Sequence, residues 1–147
     1  MSNTLQIIRL KNPLEYRLLR SCYGNRQFFQ KIAASIEANV VLEDYEADLY
    51  STQSGGQKFA ELEYSRFKSG ESKFEIEIKR RAGIPEGDEV AVLIHGVEVA
   101  RVTIQKFQTE VWLNTKNGDE VPPVKLDDKA ELLHNGVVIA EGVFRPD

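Results

Sequence analysis

Apolar and polar residues alternate along much of the chain from Asn39 onward. The pattern is clearest at 74–79, where Phe, Ile and Ile alternate with Glu, Glu and Lys, and it recurs at 41–49 and 60–64. Alternation places successive side chains on opposite faces of a strand, so these stretches predict three amphipathic strands. Because each strand has one charged, solvated face, we expect an antiparallel sheet rather than a buried parallel one.

Two later segments, Asp88–Ile104 and Asp127–Phe144, share one sequence pattern. Written as DEVAVLIH-GVEVARVTI and DDKAELLHNGVVIAEGVF, they align with a single gap at the turn. Each has an apolar-rich run, a Gly turn and a second apolar-rich run, which is the pattern of a β-hairpin. The sequence therefore predicts a repeated β-hairpin at 88–104 and 127–144. The aligned pairs are Asp88/Asp127, Ala91/Ala130, Leu93/Leu132, His95/His134, Gly96/Gly136, Val97/Val137 and Ala100/Ala140.

A further strand at Phe107–Thr115 brings the expected number to about eight or nine short strands, most of them about 8–12 residues apart. Pro122 and Pro123 exclude a central strand at their position. This spacing is typical of a β-sandwich or a small barrel. We therefore expect residues 39–147 to form a mainly β, antiparallel domain.

Residues 1–38 have a different pattern, which predicts an arm followed by a helical element. The apolar stretch Thr4–Leu10 suits a first strand or an extended arm. Asn12-Pro13-Leu14-Glu15 predicts a helix start, because Asn caps, Pro suits the first helical position and Glu follows at the capping-box position. The helical spacing is interrupted at Gly24-Asn25, so we expect two short helices, with one continuous helix as the alternative.

The composition, with 147 residues of which 41% are hydrophobic and 29% charged, indicates one globular domain with or without a helical appendage. The net charge of −4 is unevenly distributed: residues 1–36 contain six Lys/Arg and one Glu, a net charge of +5, which leaves −9 for the remainder. Cys22 is the only cysteine and cannot form an intramolecular disulfide. With no signal-peptide pattern and no apolar run of ~20 residues, we expect a cytoplasmic protein without a transmembrane segment.

No catalytic motif or cofactor-binding motif is recognisable, so we expect neither an active site nor a cofactor. His95 and His134 each precede a predicted hairpin turn and are the candidate metal ligands, although a zinc site needs further ligands. The competing interpretation is a polar residue at the rim of each turn. Cys22 lies on the apolar face of a predicted helix and is interpreted as a core residue rather than a nucleophile.

Charged strand faces offer two further candidates. Glu75 and Glu77 point to one side of a strand, as do Glu61 and Glu63, and paired carboxylates are the catalytic groups of glycosidases. Alternating Glu on a solvated strand face is the simpler interpretation. The basic cluster Lys79-Arg80-Arg81 is interpreted as a charge-balanced edge rather than a phosphate site, because acidic residues surround it.

The basic N-terminal region gives the strongest indication of function, since its mixture of aromatic and Arg residues is enriched at protein interfaces. The alternatives are that this region docks on the protein's own β domain or contacts an anionic membrane surface. Nucleic acid is not the expected partner, because the overall charge is negative. The predicted partner-binding residues are Leu14, Arg17, Leu18, Arg20, Arg26, Phe28 and Phe29.

We therefore expect a non-catalytic protein-interaction or assembly module that contacts a protein partner or forms a homo-oligomer. The alternative is a small-ligand or carbohydrate-binding β-domain that uses Trp112, Tyr50 and Tyr64, and an enzyme is the third hypothesis. The C-terminal pattern of strand, Gly-Val turn, strand and a closing G-x-F resembles small all-β domains of unassigned function in bacterial proteins. This resemblance carries no functional residue to the present chain.

Overall fold

The computed structural model describes residues 39–53 and 56–147, which form a mainly antiparallel β structure. Two 3₁₀ helices, Arg80–Ala82 and Thr115–Asn117, are the helical elements of this part of the chain, and neither is long and apolar enough to cross a membrane. The antiparallel β architecture predicted from the sequence is confirmed. The predicted arm and helices at 1–38 lie outside the described residues. The strands are β1 (Val41–Ser51), β2 (Lys58–Phe67), β3 (Ser72–Ile78), β4 (Glu89–Ile94), β5 (Val97–Thr103), β6 (Thr109–Asn114), β7 (Lys129–His134), β8 (Val137–Val143) and β9 (Arg145–Pro146).

The strands belong to one sheet, in the order β5-β4-β7-β8-β1-β2-β3-β6, and β9 pairs with β1. The two ends of this order, β5 and β6, are consecutive in the chain, so residues 104–108 connect the edges of a nearly closed, barrel-like sheet. The hydroxyl of Thr109, a buried residue, accepts a hydrogen bond of 2.9 Å from the backbone N–H of Gln105 and fixes this connection. Of the two predicted architectures, the single curved sheet corresponds to the small barrel.

The core lies on the concave side of the sheet, because alternate residues of each strand are buried. In β2 and β3, for example, Leu62 and Ile76 are fully buried, whereas the residues between the buried positions face outward. Glu43–Arg66 and Glu71–Asp147 form one compact unit. The described residues outside this unit are 39–42 and 67–70, where the backbone N–H of Lys68 donates to the carbonyl of Val40 over 2.9 Å. The largest fully buried side chains are Phe74, Phe144, Leu49, Leu62, Ile76, Leu132, Val90, Val92 and Thr109.

The hairpins β4–β5 and β7–β8 have the same backbone geometry at a constant offset of 40 residues. Each has a two-residue turn and one shift of register midway along its strands, as in a β-bulge. The hydrogen bonds that close each hairpin at its open end also correspond, since Ile104 N donates to the carbonyl of Asp88 and Phe144 N to that of Asp128. Matching cross-strand pairs are Val92/Ala100 with Leu132/Ala140, and Ile94/Val97 with His134/Val137.

This geometry corrects the alignment predicted from the sequence, which is displaced by one residue before the turn. No gap is present, because the first turn is His95-Gly96 and the second is Asn135-Gly136, with φ of 53° at His95 and 52° at Asn135. His95 is therefore the counterpart of Asn135, and His134 is the counterpart of Ile94. The two histidines do not occupy equivalent positions.

The two hairpins are neighbours, since β4 pairs with β7 in antiparallel orientation. Val92 lies opposite its own counterpart Leu132, so the hairpins are related by a local twofold axis between these residues. In consequence, the turn of the first hairpin lies beside the start of β7, where the backbone N–H of His95 donates to the carbonyl of Lys129 over 2.8 Å.

The second hairpin approaches β1 closely at Gly142. A Cβ atom at this position would overlap the backbone oxygen of Asp48, so glycine permits the approach. Beside it, Tyr50 pairs with Glu141 and Ser51 with Ala140. These contacts attach the β4–β5–β7–β8 half of the sheet to the half formed by β1, β2, β3 and β6.

Candidate functional site

The outer surface of β1, β2, β3 and β6 carries a concentration of carboxylates, which we call the acidic face. In β2 and β3 the glutamates alternate with buried apolar residues, so packing of the core forces them outward. The same parity places two carboxylates of β1 on the outside, on either side of the buried Ala47. The carboxylates of the acidic face are Glu46, Asp48, Glu61, Glu63, Glu75, Glu77 and Glu110.

The register of the strands places these glutamates directly opposite one another. Glu61 lies opposite Glu77, which lies opposite Glu110, and Glu63 lies opposite Glu75. Like charges at directly opposed positions of a sheet destabilise it. The acidic face therefore opposes folding at several neighbouring positions.

Glu61 and Glu63 lie two residues apart on the same face of β2, and the pKa values of their carboxyl groups are shifted in opposite directions. Burial raises the pKa of Glu63 to about 7, with smaller contributions from a hydrogen bond to Glu61 and from the charge of Glu75. A hydrogen bond from Lys58 lowers the pKa of Glu61. Near neutral pH, Glu63 is partly protonated and can donate to the ionised Glu61.

Lys58 neutralises one edge of the acidic face. Its Nζ lies 2.6 Å from Oδ1 of Asp48 and donates to Oε2 of Glu61 over 2.5 Å. These contacts raise the pKa of Lys58 well above its usual range. Glu46, Asp48 and Glu61 have the spacing of metal ligands, but the Lys58 ammonium already contacts Asp48 and Glu61. The pKa of Glu46 is raised, first by burial and then by the negative charge of Glu61.

Trp112 borders the acidic face and is 67% exposed. It pairs with Glu75 across β3 and β6 and is two residues from Glu110 on the same strand. An exposed indole beside carboxylates presents an apolar surface and a π-face to a cationic group. The acidic face thus combines negative charge with one aromatic contact.

A second candidate lies at the end of the barrel-like sheet, where His134 forms a 2.8 Å contact from Nε2 to Oδ2 of Asp88. His134 also lines a cavity of about 400 Å³ together with Ser51, Gln53 and Phe59. The site therefore contains hydrogen-bonding groups beside an imidazole that a carboxylate orients.

No protein-family model matches this chain, and no curated protein is similar to it. The acidic face and the cavity beside His134 are therefore the two candidate sites of the described part of the chain.

The structure does not bring the two candidate metal ligands together. His95 lies beside the start of β7, within 3.8 Å of Asp128 from Nδ1 to Oδ1, whereas His134 ends that strand. Five strand residues at about 3.3 Å each separate the two positions by roughly 16 Å. The displaced alignment had placed both histidines at equivalent positions, and this expectation is corrected by the register.

The aromatic residues predicted for ligand binding do not form one surface. Tyr64 is 4% exposed and its ring stacks on Tyr45 in the core region, with 6.2 Å between ring centroids. Tyr50 and Trp112 are exposed, but β2 and β3 lie between their strands. A sugar ring therefore has no joint contact with the three residues.

The remaining predicted residues fall into two groups. Arg80 Nη1 donates to the carbonyl of Ile84 over 3.1 Å, which gives this member of the basic cluster a structural contact. Cys22 and the predicted partner-binding residues lie outside the described part of the chain: Leu14, Arg17, Leu18, Arg20, Arg26, Phe28 and Phe29.

Sequence reasoning missed Glu46, Asp48 and Lys58 as members of the acidic face. The alternation in β1 carried the signal, since Ala47 and Leu49 predict an inward parity that leaves residues 46 and 48 outside. Glu110 could not be assigned in this way, because its place beside Glu77 depends on the order of strands in the sheet. Asp88 was part of the predicted hairpin, but its contact with His134 depends on pairing between the two hairpins.

Proposed function

We propose that this chain is a non-catalytic protein-interaction module whose acidic face binds a Lys/Arg-rich polypeptide segment. The observation that supports the proposal is the opposition of like charges across β2, β3 and β6. A cationic segment laid over these positions would relieve the repulsion, so that binding recovers free energy lost in folding.

The spacing of the acidic face suits an extended segment. Outward residues recur about every 6.6–6.8 Å along a strand, and the side chains on one face of an extended peptide have the same spacing. Successive basic side chains can therefore each meet a carboxylate, while Trp112 offers its indole to a neighbouring Lys or Arg.

The chain itself supplies a segment of suitable charge. Residues 1–36 carry a net charge of +5 and include the predicted partner-binding residues, whereas the rest of the chain carries −9. We propose that the basic segment of one copy binds the acidic face of a second copy, which gives a homo-oligomer. We place this assembly in the cytoplasm, as the lone cysteine favours a reducing compartment.

The proposal is tested by fluorescence anisotropy of a labelled synthetic peptide with the sequence of residues 1–36, added to the full-length protein. We expect binding that weakens as salt is raised and that falls by at least about tenfold in the variant Glu75→Gln/Glu77→Gln. The variant Glu86→Gln/Glu89→Gln makes the same change of net charge away from the acidic face and should bind as the wild type does. Equal binding by both variants would show that the acidic face is not the contact surface.

A further inference from the structure

Asp88 and Asp128 occupy equivalent positions in the two hairpins but have different hydrogen-bond partners. In the second hairpin, Oδ2 of Asp128 accepts a hydrogen bond of 2.9 Å from the backbone N–H of Lys125. The residue equivalent to Lys125 is Pro85, which has no N–H group. Asp88, the counterpart of Asp128, instead places its Oδ2 2.8 Å from Nε2 of His134.

The partner of Asp88 is a second departure from the shared pattern. His134 is the counterpart of Ile94, an apolar residue that is 4% exposed in the core. An imidazole at an apolar position loses solvation unless it has a hydrogen-bonding partner, and Asp88 supplies one. The different partner of Asp88 and the histidine at an otherwise apolar position therefore meet in a single contact, which indicates a role beyond packing.

The imidazole lies at the wall of a cavity of about 400 Å³. Ser51 and Gln53 form part of this wall. Thr52, between them, is attached to β8, since it donates from its backbone N–H to the carbonyl of Ile139 over 3.0 Å and from Oγ1 to the carbonyl of Val138 over 2.8 Å. These bonds hold Ser51 and Gln53 on the same cavity as His134. The volume lies within the range of roughly 300–1,000 Å³ that is usual for small-molecule sites.

We propose that this cavity binds a neutral, polyhydroxylated small molecule such as a sugar ring. The polar groups of the wall, from Ser51, Gln53, Gln57 and His134, each donate or accept hydrogen bonds, as the hydroxyl groups of such a ligand require. Phe59 supplies an apolar surface for the ring, and among the residues that the structure describes the lining includes no Lys, Arg, Asp or Glu that would select a charged ligand. His134 contacts the ligand, and Asp88 is a positioning residue that orients the imidazole. This site is separate from the acidic face and does not depend on the function proposed for it.

The test is saturation-transfer NMR of the full-length protein with a panel of monosaccharides: glucose, galactose, mannose and N-acetylglucosamine. We expect at least one sugar to receive saturation and to shift the ring resonances of His134 but not those of His95. His134→Ile should lower the affinity at least about tenfold. His95→Asn should leave the affinity unchanged. Each variant introduces the residue found at the equivalent position of the other hairpin, so both are expected to fold.

The role of Asp88 has a separate readout. In Asp88→Ala, the ring ¹⁵N shifts of His134 should change in the absence of sugar, because the bond at Nε2 is lost. Two results would overturn the proposal: no sugar of the panel shifts the His134 resonances, or His134→Ile binds sugar as tightly as the wild type.

Discussion

Glu63 is the residue at which the cost of the acidic face can be measured. Its pKa is raised to about 7, mainly by burial, whereas the usual value in an unfolded chain is near 4.5. The folded protein therefore holds the proton more tightly than the unfolded chain does. The free energy of unfolding should fall as the pH rises from about 4.5 to about 7, because folding then increasingly requires an ionised Glu63.

We predict that Glu63→Gln stabilises the protein at pH 8, since the amide is neutral at all pH values. The gain should be on the order of 1 kcal/mol, after allowance for solvent screening of a partly exposed group. Urea denaturation at pH 8 and pH 5 measures it, and the difference from the wild type should shrink at the lower pH. Glu86→Gln, at an exposed position outside the acidic face, is the control. A Glu63→Gln variant no more stable than the wild type at pH 8 would contradict this account.

The two histidines show why residue-level reasoning from the sequence misassigned the hairpins. Aligning His95 with His134 made a gap necessary, and the identity of the two residues favoured that choice. The structure instead aligns His95 with Asn135, because both adopt a positive φ at the first position of a two-residue turn. Asn-Gly is typical of such a turn, whereas His-Gly is not. The residues of the first turn were therefore not sufficient to predict the register of the first hairpin.

At the scale of elements, alternation predicted β2 and β3 well because each has one buried and one charged face. It also predicted the parity that places Glu61, Glu63, Glu75 and Glu77 outside. The sequence could not predict which strands are neighbours, because strand order depends on contacts between residues distant in the chain. The opposition of like charges and the contact between Asp88 and His134 both follow from that order.

At the scale of elements, Gly142 is the position where a substitution should most directly disturb the packing of one strand against another. Its counterpart in the first hairpin is Val102, a buried residue, yet a Cβ atom at 142 would overlap the backbone of β1 at Asp48. We predict that Gly142→Ala lowers the free energy of unfolding by about 2–4 kcal/mol, since the strands must separate to admit the methyl group.

Thermal and urea unfolding of Gly142→Ala measure this loss. The control is Glu141→Ala, at the preceding position of β8, which removes an exposed ion pair with Lys129 and should cost at most about 1 kcal/mol. Equal stability of Gly142→Ala and the wild type would show that β8 does not approach β1 as closely as described.

For the whole molecule, the central feature is the separation of charge between a basic N-terminal segment and an acidic β structure. The net charges of residues 1–36 and of the remainder follow from the sequence. The clustering of carboxylates on one surface could be recognised only from the pairing of the strands. The proposed head-to-tail association between copies would use this separation of charge, and Trp112 would lie at the edge of the contact.

The most direct test is the solution mass of the full-length protein, measured by light scattering at low and high salt. We predict an oligomer at low salt that dissociates to the 16.7 kDa monomer at high salt. Glu75→Gln/Glu77→Gln should be monomeric at low salt, whereas Glu86→Gln/Glu89→Gln should remain an oligomer. A wild-type protein that is monomeric at every salt concentration, or a Glu75→Gln/Glu77→Gln variant that associates as the wild type does, would contradict the account.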